Sequence, residues 1–242
     1  MRTAAVVIVG AGIIGLSAGY WLAKAGARVV VLYKGRAGQE SSSRATGFLS
    51  LRGEEPREAP LALVAERLWE ELDEELGHPT EWRQNGRLWV ALGESERGAL
   101  VEKHEAFRTT GISFALVDGD RCREIAPYLA PDVVAGIHTE RSRHANPQRA
   151  TQAFAWAFRD RGGEILEQCP VTGIRGAAGA VGGVATPDGE IAAPVVVVAA
   201  GAQTSKVAAL AGVAVPTATV RLEGCVTAPL PPLFEVAMVG GG

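Results

Sequence analysis

Several things are scarce in this sequence, and each shortage excludes a class of protein. Cysteine occurs three times, at Cys122, Cys169 and Cys225. An odd number at such wide spacing builds neither a disulfide framework nor a metal site, which implies a reducing, cytoplasmic setting. Histidine occurs four times, at His78, His104, His138 and His144, with no H-x-x-x-H pair. No metal site is therefore expected. Positive charge is not in excess: 24 Lys and Arg stand against 27 Asp and Glu. Nothing in that balance drives binding to nucleic acid. G-x-S-x-G is absent, and no Cys/His pairing is evident, so no nucleophilic hydrolase is indicated. Past the N-terminal stretch, no apolar run reaches the roughly 18 residues of a transmembrane segment. That stretch, residues 4–16, would pass for a signal peptide were it not for the spacing of its glycines.

What remains is a globular composition, 47% hydrophobic and 21% charged, over 242 residues. The length suits one large domain or two small ones. Glycine is abundant, at 30 residues, or about 12% against roughly 7% in average usage. With no G-X-Y period, that surplus points to tight turns and close backbone approaches.

Residues 4–9 form a continuous β-branched apolar run, which reads as a strand buried on both faces. Residues 13–24 have helical spacing, with Gly26 as a C-cap, and residues 29–32 form a second buried strand. A right-handed parallel βαβ unit thus opens the chain. Residues 59–76 read as one acidic amphipathic helix, burying Leu61, Val64, Leu68, Leu72 and Leu76 and leaving its acids in solvent. Asn85-Gly86 suggests a type I′ hairpin within residues 81–92. Asn146 caps a helix that starts at Pro147 and ends at Gly162-Gly163. Residues 195–200 form a third strongly apolar strand, leading into a helix near 204–211. The expected fold class is α/β. A Rossmann-like domain with a parallel sheet spans residues 1–75 and 144–212. An α+β domain with a mixed or antiparallel sheet spans 76–143 and 213–242.

Gly10-Ala11-Gly12-Ile13-Ile14-Gly15 fits G-x-G-x-x-G between a strand and a helix. Gly10 permits the turn, Gly12 lets a pyrophosphate approach the backbone, and Gly15 lets helix and strand pack closely. The helix N-terminus offers N–H groups and a positive dipole end to phosphate. The fingerprint also places an acid at the end of the second strand, for ribose hydroxyls. Here Tyr33 and Lys34 hold that place. A tyrosine hydroxyl can hydrogen-bond a ribose, whereas Lys34 would favour a ribose phosphate and hence NADP. Ser41-Ser42-Ser43-Arg44 is suited to a second phosphate or a carboxylate. Arg52 is a candidate to bind a substrate carboxylate. His104 reads as structural, while His144 can face a cleft.

Together these stretches resemble the D-amino-acid oxidase-like family of FAD-dependent oxidoreductases, in its glycine oxidase and sarcosine oxidase β-subunit branch. The matching segments are VVIVGAGIIGLSAGYWLAKAGARVVVLY, SSSRATG, HANP and VVVVAAGAQTSK. The resemblance implies an FAD domain interrupted by a substrate domain. Gly10, Gly12, Ile13, Ile14 and Gly15 would serve the pyrophosphate, with Tyr33 and Lys34 at the adenosine ribose. Ser42, Ser43, Arg44, Thr46 and Gly47 would run beside the pyrophosphate, ribityl chain and flavin. Val171 would meet the adenine, and Ala200 and Gly201 would close over the cofactor. Tyr33 stands where the family has glutamate, and Gln203 where it often has tryptophan.

The implied activity is oxidation of the C–N bond of an amino acid or secondary amine. Hydride passes to flavin N5, and the imine is then hydrolysed. The alternatives are an NAD(P)-dependent oxidoreductase, or a truncated or partner subunit without activity of its own. Members of the family extend beyond the point matching Gly242, so the chain is expected to be C-terminally shortened. An open sheet edge would then call for a partner subunit or a homo-oligomer.

Overall fold

The computed structural model describes residues 2–49, 56–228, 230–231 and 235–240. Arg52 lies outside them. The chain divides into two units. The first comprises Met1–Thr46, Asp73–Thr80 and Asn146–Gly224, and the second Gly47–Leu72, Glu81–Ala145 and Cys225–Gly242. Residues 47–72 thus group with the second unit and residues 213–224 with the first.

The first unit is built on four parallel strands. Val6–Val9 lies between Val29–Leu32 and Val195–Val198, and Glu164–Leu166 pairs with the outer side of Val29–Leu32. Counted along the chain, the order is 3-2-1-4, that of a nucleotide-binding doubly wound sheet. Val7, Ile8, Val31 and Leu32 are fully buried, because both sheet faces are covered. On one face the Ile13–Lys24 and Pro147–Asp160 helices bring Tyr20 and Phe154 edge to face, 6.1 Å between ring centroids. The other face carries a second sheet of Arg2–Thr3, Gly189–Ala192, Ala180–Thr186 and Gly173–Ala177. Its Val184 and Ile191 join Val7, Val9, Val30 and Leu32 in one core.

Asn146 caps its helix as its sequence position implies. The side-chain oxygen accepts from the N–H groups of Gln148 and Arg149, at 3.1 and 3.2 Å. Pro147 occupies the first turn, where no N–H is needed.

The second unit holds a four-stranded mixed sheet. Its order is Ala237–Gly240, Arg87–Leu92, Val133–Thr139, Ala115–Asp118, with only the first pair parallel. The fold class is therefore mixed α/β, with parallel and mixed sheets, as the sequence implies.

Two local expectations fail here for physical reasons. Asn85-Gly86 closes no hairpin. Arg83–Gln84 pairs with Arg143–His144 in a small separate sheet, whereas Arg87–Leu92 pairs with Val133–Thr139. The N–H groups of Asn85 and Gly86 both donate to the Ser142 carbonyl, at 3.3 and 2.9 Å. Gly86 has φ +71°, so the step passes the chain from one sheet into the next.

Residues 59–76 form two helices, Ala59–Glu70 and Leu72–Leu76. Leu72 and Leu76 are buried, but Leu61, Val64 and Leu68 are exposed, and Glu66 is buried instead. Its carboxylate is held by Arg141 and Arg143. Arg143 is itself buried and also pairs with Glu70 at 2.5 Å. Charge pairing, which apolar periodicity does not register, sets which face of this helix turns inward.

Candidate cofactor site

The carboxyl ends of the first unit's parallel strands open onto a cavity of about 620 Å³. That size lies within the range of small-molecule sites. Strands Val6–Val9 and Val195–Val198 are neighbours, and their crossover connections run to opposite sides. Such a reversal of strand order leaves a crevice at the strand ends.

The glycine motif forms the floor. Gly10 has φ +123°, and a Cβ there would lie 2.2 Å from the Ala199 carbonyl oxygen. A Cβ on Gly15 would lie 1.9 Å from the Gly10 carbonyl oxygen. At these two positions only glycine lets turn, helix and fourth strand meet. A Cβ on Gly12 would lie 2.9 Å from Ser42 Oγ, in the space before the helix N-terminus. Ser42 Oγ accepts from the Ile13 N–H at 2.9 Å. Its own hydroxyl hydrogen is left to donate onward.

The remaining walls come from the strand ends and the segments that follow them. Tyr33 and Lys34 follow the second strand. Tyr33 is fixed by its backbone, its N–H donating to Leu166 and its carbonyl accepting from Cys169, each at 2.9 Å. Burial, and after it the neighbouring Glu40 carboxylate, push the Tyr33 hydroxyl up to about 12. Val171 lies on the wall with Cys169 and Pro170, and Ala200 and Gly201 close the side after the fourth strand.

Of the residues singled out from sequence, Gly10, Gly12, Ile13, Ile14, Tyr33, Lys34, Ser42, Val171, Ala200 and Gly201 line this cavity. Gly15 packs beneath the turn. Ser43 and Arg44 continue the short Ser41–Arg44 helix, and the Ser43 hydroxyl donates to the Glu40 carbonyl at 3.3 Å. Thr46 ends this stretch of the first unit, and Gly47 begins the second unit, where its carbonyl accepts from Ala145.

Two further wall segments carry no cofactor role in the sequence reading. One is the loop Gly38, Gln39 and Glu40. The other is Gln203, Thr204 and Lys206, in and before the Thr204–Ala209 helix. The position of that helix, directly after a strand entering the same crevice, was the available signal.

His104 Nε2 meets the Phe114 carbonyl at 3.0 Å, a structural role. His144 is half-buried in the second unit. Its Nδ1 is buried without a hydrogen-bond partner, and burial, then Arg83, hold its pKa down. Among the described residues no group of three or more His, Cys, Asp or Glu could hold a metal.

A bare glycine turn, a helix N-terminus with an inward-facing serine, and an apolar slot at the strand ends fit a dinucleotide. The model of the FAD dependent oxidoreductase family, DAO, matches residues 5–240. The chain belongs to this family of FAD-dependent oxidoreductases.

Two relatives within it are informative. Sarcosine oxidase subunit beta of Rhizobium meliloti (strain 1021) is 29% identical over 245 aligned residues, covering 98% of this chain and 59% of the relative. Glycine oxidase of Geobacillus kaustophilus (strain HTA426) is 30% identical, covering 98% of this chain and 65% of the relative. The solved structure of glycine oxidase from Geobacillus kaustophilus superposes with a TM-score of 0.87. It covers 99% of this chain and 66% of that one, at 25% identity. The chain thus spans about three-fifths of the length of each of these two relatives. Among the described residues no helix is long and apolar enough to cross a membrane.

Proposed function

We propose that the first unit binds FAD in the cavity at its strand ends and that the protein oxidises the C–N bond of an amino acid or secondary amine. The observation that carries the first part is the packing of Gly10, Gly12 and Gly15 against Ala199 and Ser42. It brings the start of the first helix and the Ser42 hydroxyl to the cavity wall, with no side chain on Gly12 between them. The second part rests on relatives named for sarcosine and glycine.

Gly10, Gly12, Ile13, Ile14 and Ser42 would hold the pyrophosphate, with Gly15 supporting the turn. Tyr33 and Lys34 would flank the ribose, and Val171 the adenine. Ala200 and Gly201 would cover the inner end, and Ser43, Arg44, Thr46 and Gly47 would continue along the cofactor. Bound FAD supplies the two-electron acceptor for the oxidation. The chain's own part is to bind, orient and exclude water.

In this reading the first unit is the FAD domain, and the second unit is the part of the chain that contributes to substrate binding. A partner subunit or second copy is also proposed, following the relative named as a subunit. A cytoplasmic setting accords with three free thiols.

The test is reduction of a redox dye by the FAD-loaded protein with sarcosine, glycine, proline and other amino acids. Turnover with one of them, dependent on FAD, supports the reading. Turnover that requires NAD or NADP in place of FAD overturns it.

A further inference from the structure

The strand-end position that the dinucleotide fingerprint fills with an acid holds Tyr33 here, yet a carboxylate stands beside it. Glu40 comes from the loop that follows, and its Oε1 lies 3.8 Å from Lys34 Nζ. Both residues and Tyr33 line the same cavity.

This placement is built by the backbone. The Gly38 N–H donates to the Ala11 carbonyl in the glycine turn at 2.9 Å, and the Ala37 N–H donates to Glu167 Oε1 at 2.7 Å. Gly38 has φ +77°, and a Cβ there would meet Thr151 Cγ2 at 3.0 Å. The loop is thus pinned to the motif itself two residues before Glu40. Beyond Glu40, Ser42 is pinned to Ile13. The Glu40 carboxylate, 62% exposed, already meets Lys34 and the Tyr33 hydroxyl, and its two oxygens keep further lone pairs that can accept from a ligand.

We propose that Glu40 replaces the missing strand-end acid, its carboxylate accepting hydrogen bonds from the adenosine ribose hydroxyls while its pairing with Lys34 disfavours a ribose 2′-phosphate. A carboxylate has two acceptor oxygens and no donor, which suits a vicinal diol. Lys34 alone would draw a phosphate to the same place. With Glu40 beside it, the added negative charge meets a neutralised pair. The raised hydroxyl pKa of Tyr33 agrees with this, since a neutral phenol beside the carboxylate adds no repulsion. The inference rests on the FAD reading and explains how this chain keeps a ribose acceptor despite Tyr33.

The test uses the full chain and measures dissociation constants by calorimetry for FAD, ADP, 2′-deoxy-ADP and adenosine 2′,5′-bisphosphate. The wild type is expected to prefer ADP over 2′-deoxy-ADP by about tenfold, the size of a charge-assisted hydrogen bond. Glu40→Gln is expected to lose that preference, to bind FAD about tenfold more weakly, and to bind the bisphosphate more tightly. Tyr33→Glu added to Glu40→Gln is expected to restore FAD affinity by returning the acid to the strand end.

The ADP preference is a ratio within one protein, so a loss of stability does not imitate it. If the wild type binds FAD and Glu40→Gln keeps both the affinity and the preference, the role of Glu40 is overturned and the FAD reading stands. If the wild type binds no FAD, both fall.

Discussion

Ser42 Oγ accepts a hydrogen bond from the backbone N–H of Ile13 at 2.9 Å, across 29 residues of chain. The loop after the second strand is thereby fastened to the first turn of the first helix. One serine both caps the helix and borders the cavity. Ser42→Ala is expected to lower stability by about 1 kcal/mol and FAD affinity by about tenfold. Thermal melts with and without FAD check it. A variant that binds FAD as the wild type does would remove Ser42 from the site.

Two of the motif glycines are expected to fail in different ways. A Cβ on Gly15 would strike backbone, 1.9 Å from the Gly10 carbonyl oxygen, and backbone cannot move aside cheaply. Gly15→Ala is expected to destabilise the chain by about 3 kcal/mol or more. A Cβ on Gly12 meets only the Ser42 hydroxyl, 2.9 Å away, which can rotate. Gly12→Ala is expected to fold, with a loss of about 1 kcal/mol, yet to bind FAD at least about tenfold more weakly. Urea unfolding and FAD titration, run side by side, separate the two.

The buried pair of Glu66 and Arg143 is expected to make stability depend on acid pH. Burial works to raise the Glu66 pKa, but hydrogen bonds from Arg143 and Arg141 overcome it and hold the group below the usual glutamate range. The unfolded chain therefore takes up this proton first as pH falls. The contribution is complete above the unfolded value of about 4.3 and is lost as pH falls through the lower folded value. Glu66→Ala is expected to cost about 3 kcal/mol at neutral pH, near the low end for a broken buried pair because Glu70 still meets Arg143. Its stability should also fall less between pH 5 and pH 3 than that of the wild type. Parallel acid profiles of the two proteins would contradict the pairing.

Asn146→Ala removes the acceptor for two helix N–H groups. The expected loss is about 1 kcal/mol, read from the urea midpoint. Asn146→Ser should recover most of it, because serine caps comparably.

The parts of the fold legible in sequence are those set by local chemistry. The run at Val6–Val9 has no polar face and is buried on both sides, whereas the equally apolar Val195–Val198 is only partly buried, with Val195 exposed. The glycine spacing between strand and helix implied the turn, and Asn146-Pro147 implied a helix start. Glu66 was misplaced because its partners, Arg141 and Arg143, lie more than seventy residues away, and periodicity carries no record of them. Asn85-Gly86 was misread because a left-handed glycine serves equally in a hairpin and in a switch between sheets. The Ser142 carbonyl decides between the two. Within the site, the glycine turn on the cavity floor was legible from Gly10 to Gly15. Glu40 was not, because its position depends on Gly38 being tied to Ala11, a contact made only once the loop folds back.

The most direct test of the account is whether the purified chain, incubated with FAD and freed of excess, keeps a flavin absorption spectrum. Denaturation should then release FAD. The account predicts a yellow protein holding about one FAD per chain, and a Gly12→Ala variant that retains less of it. A wild-type chain that stays colourless would contradict the assignment of the cavity.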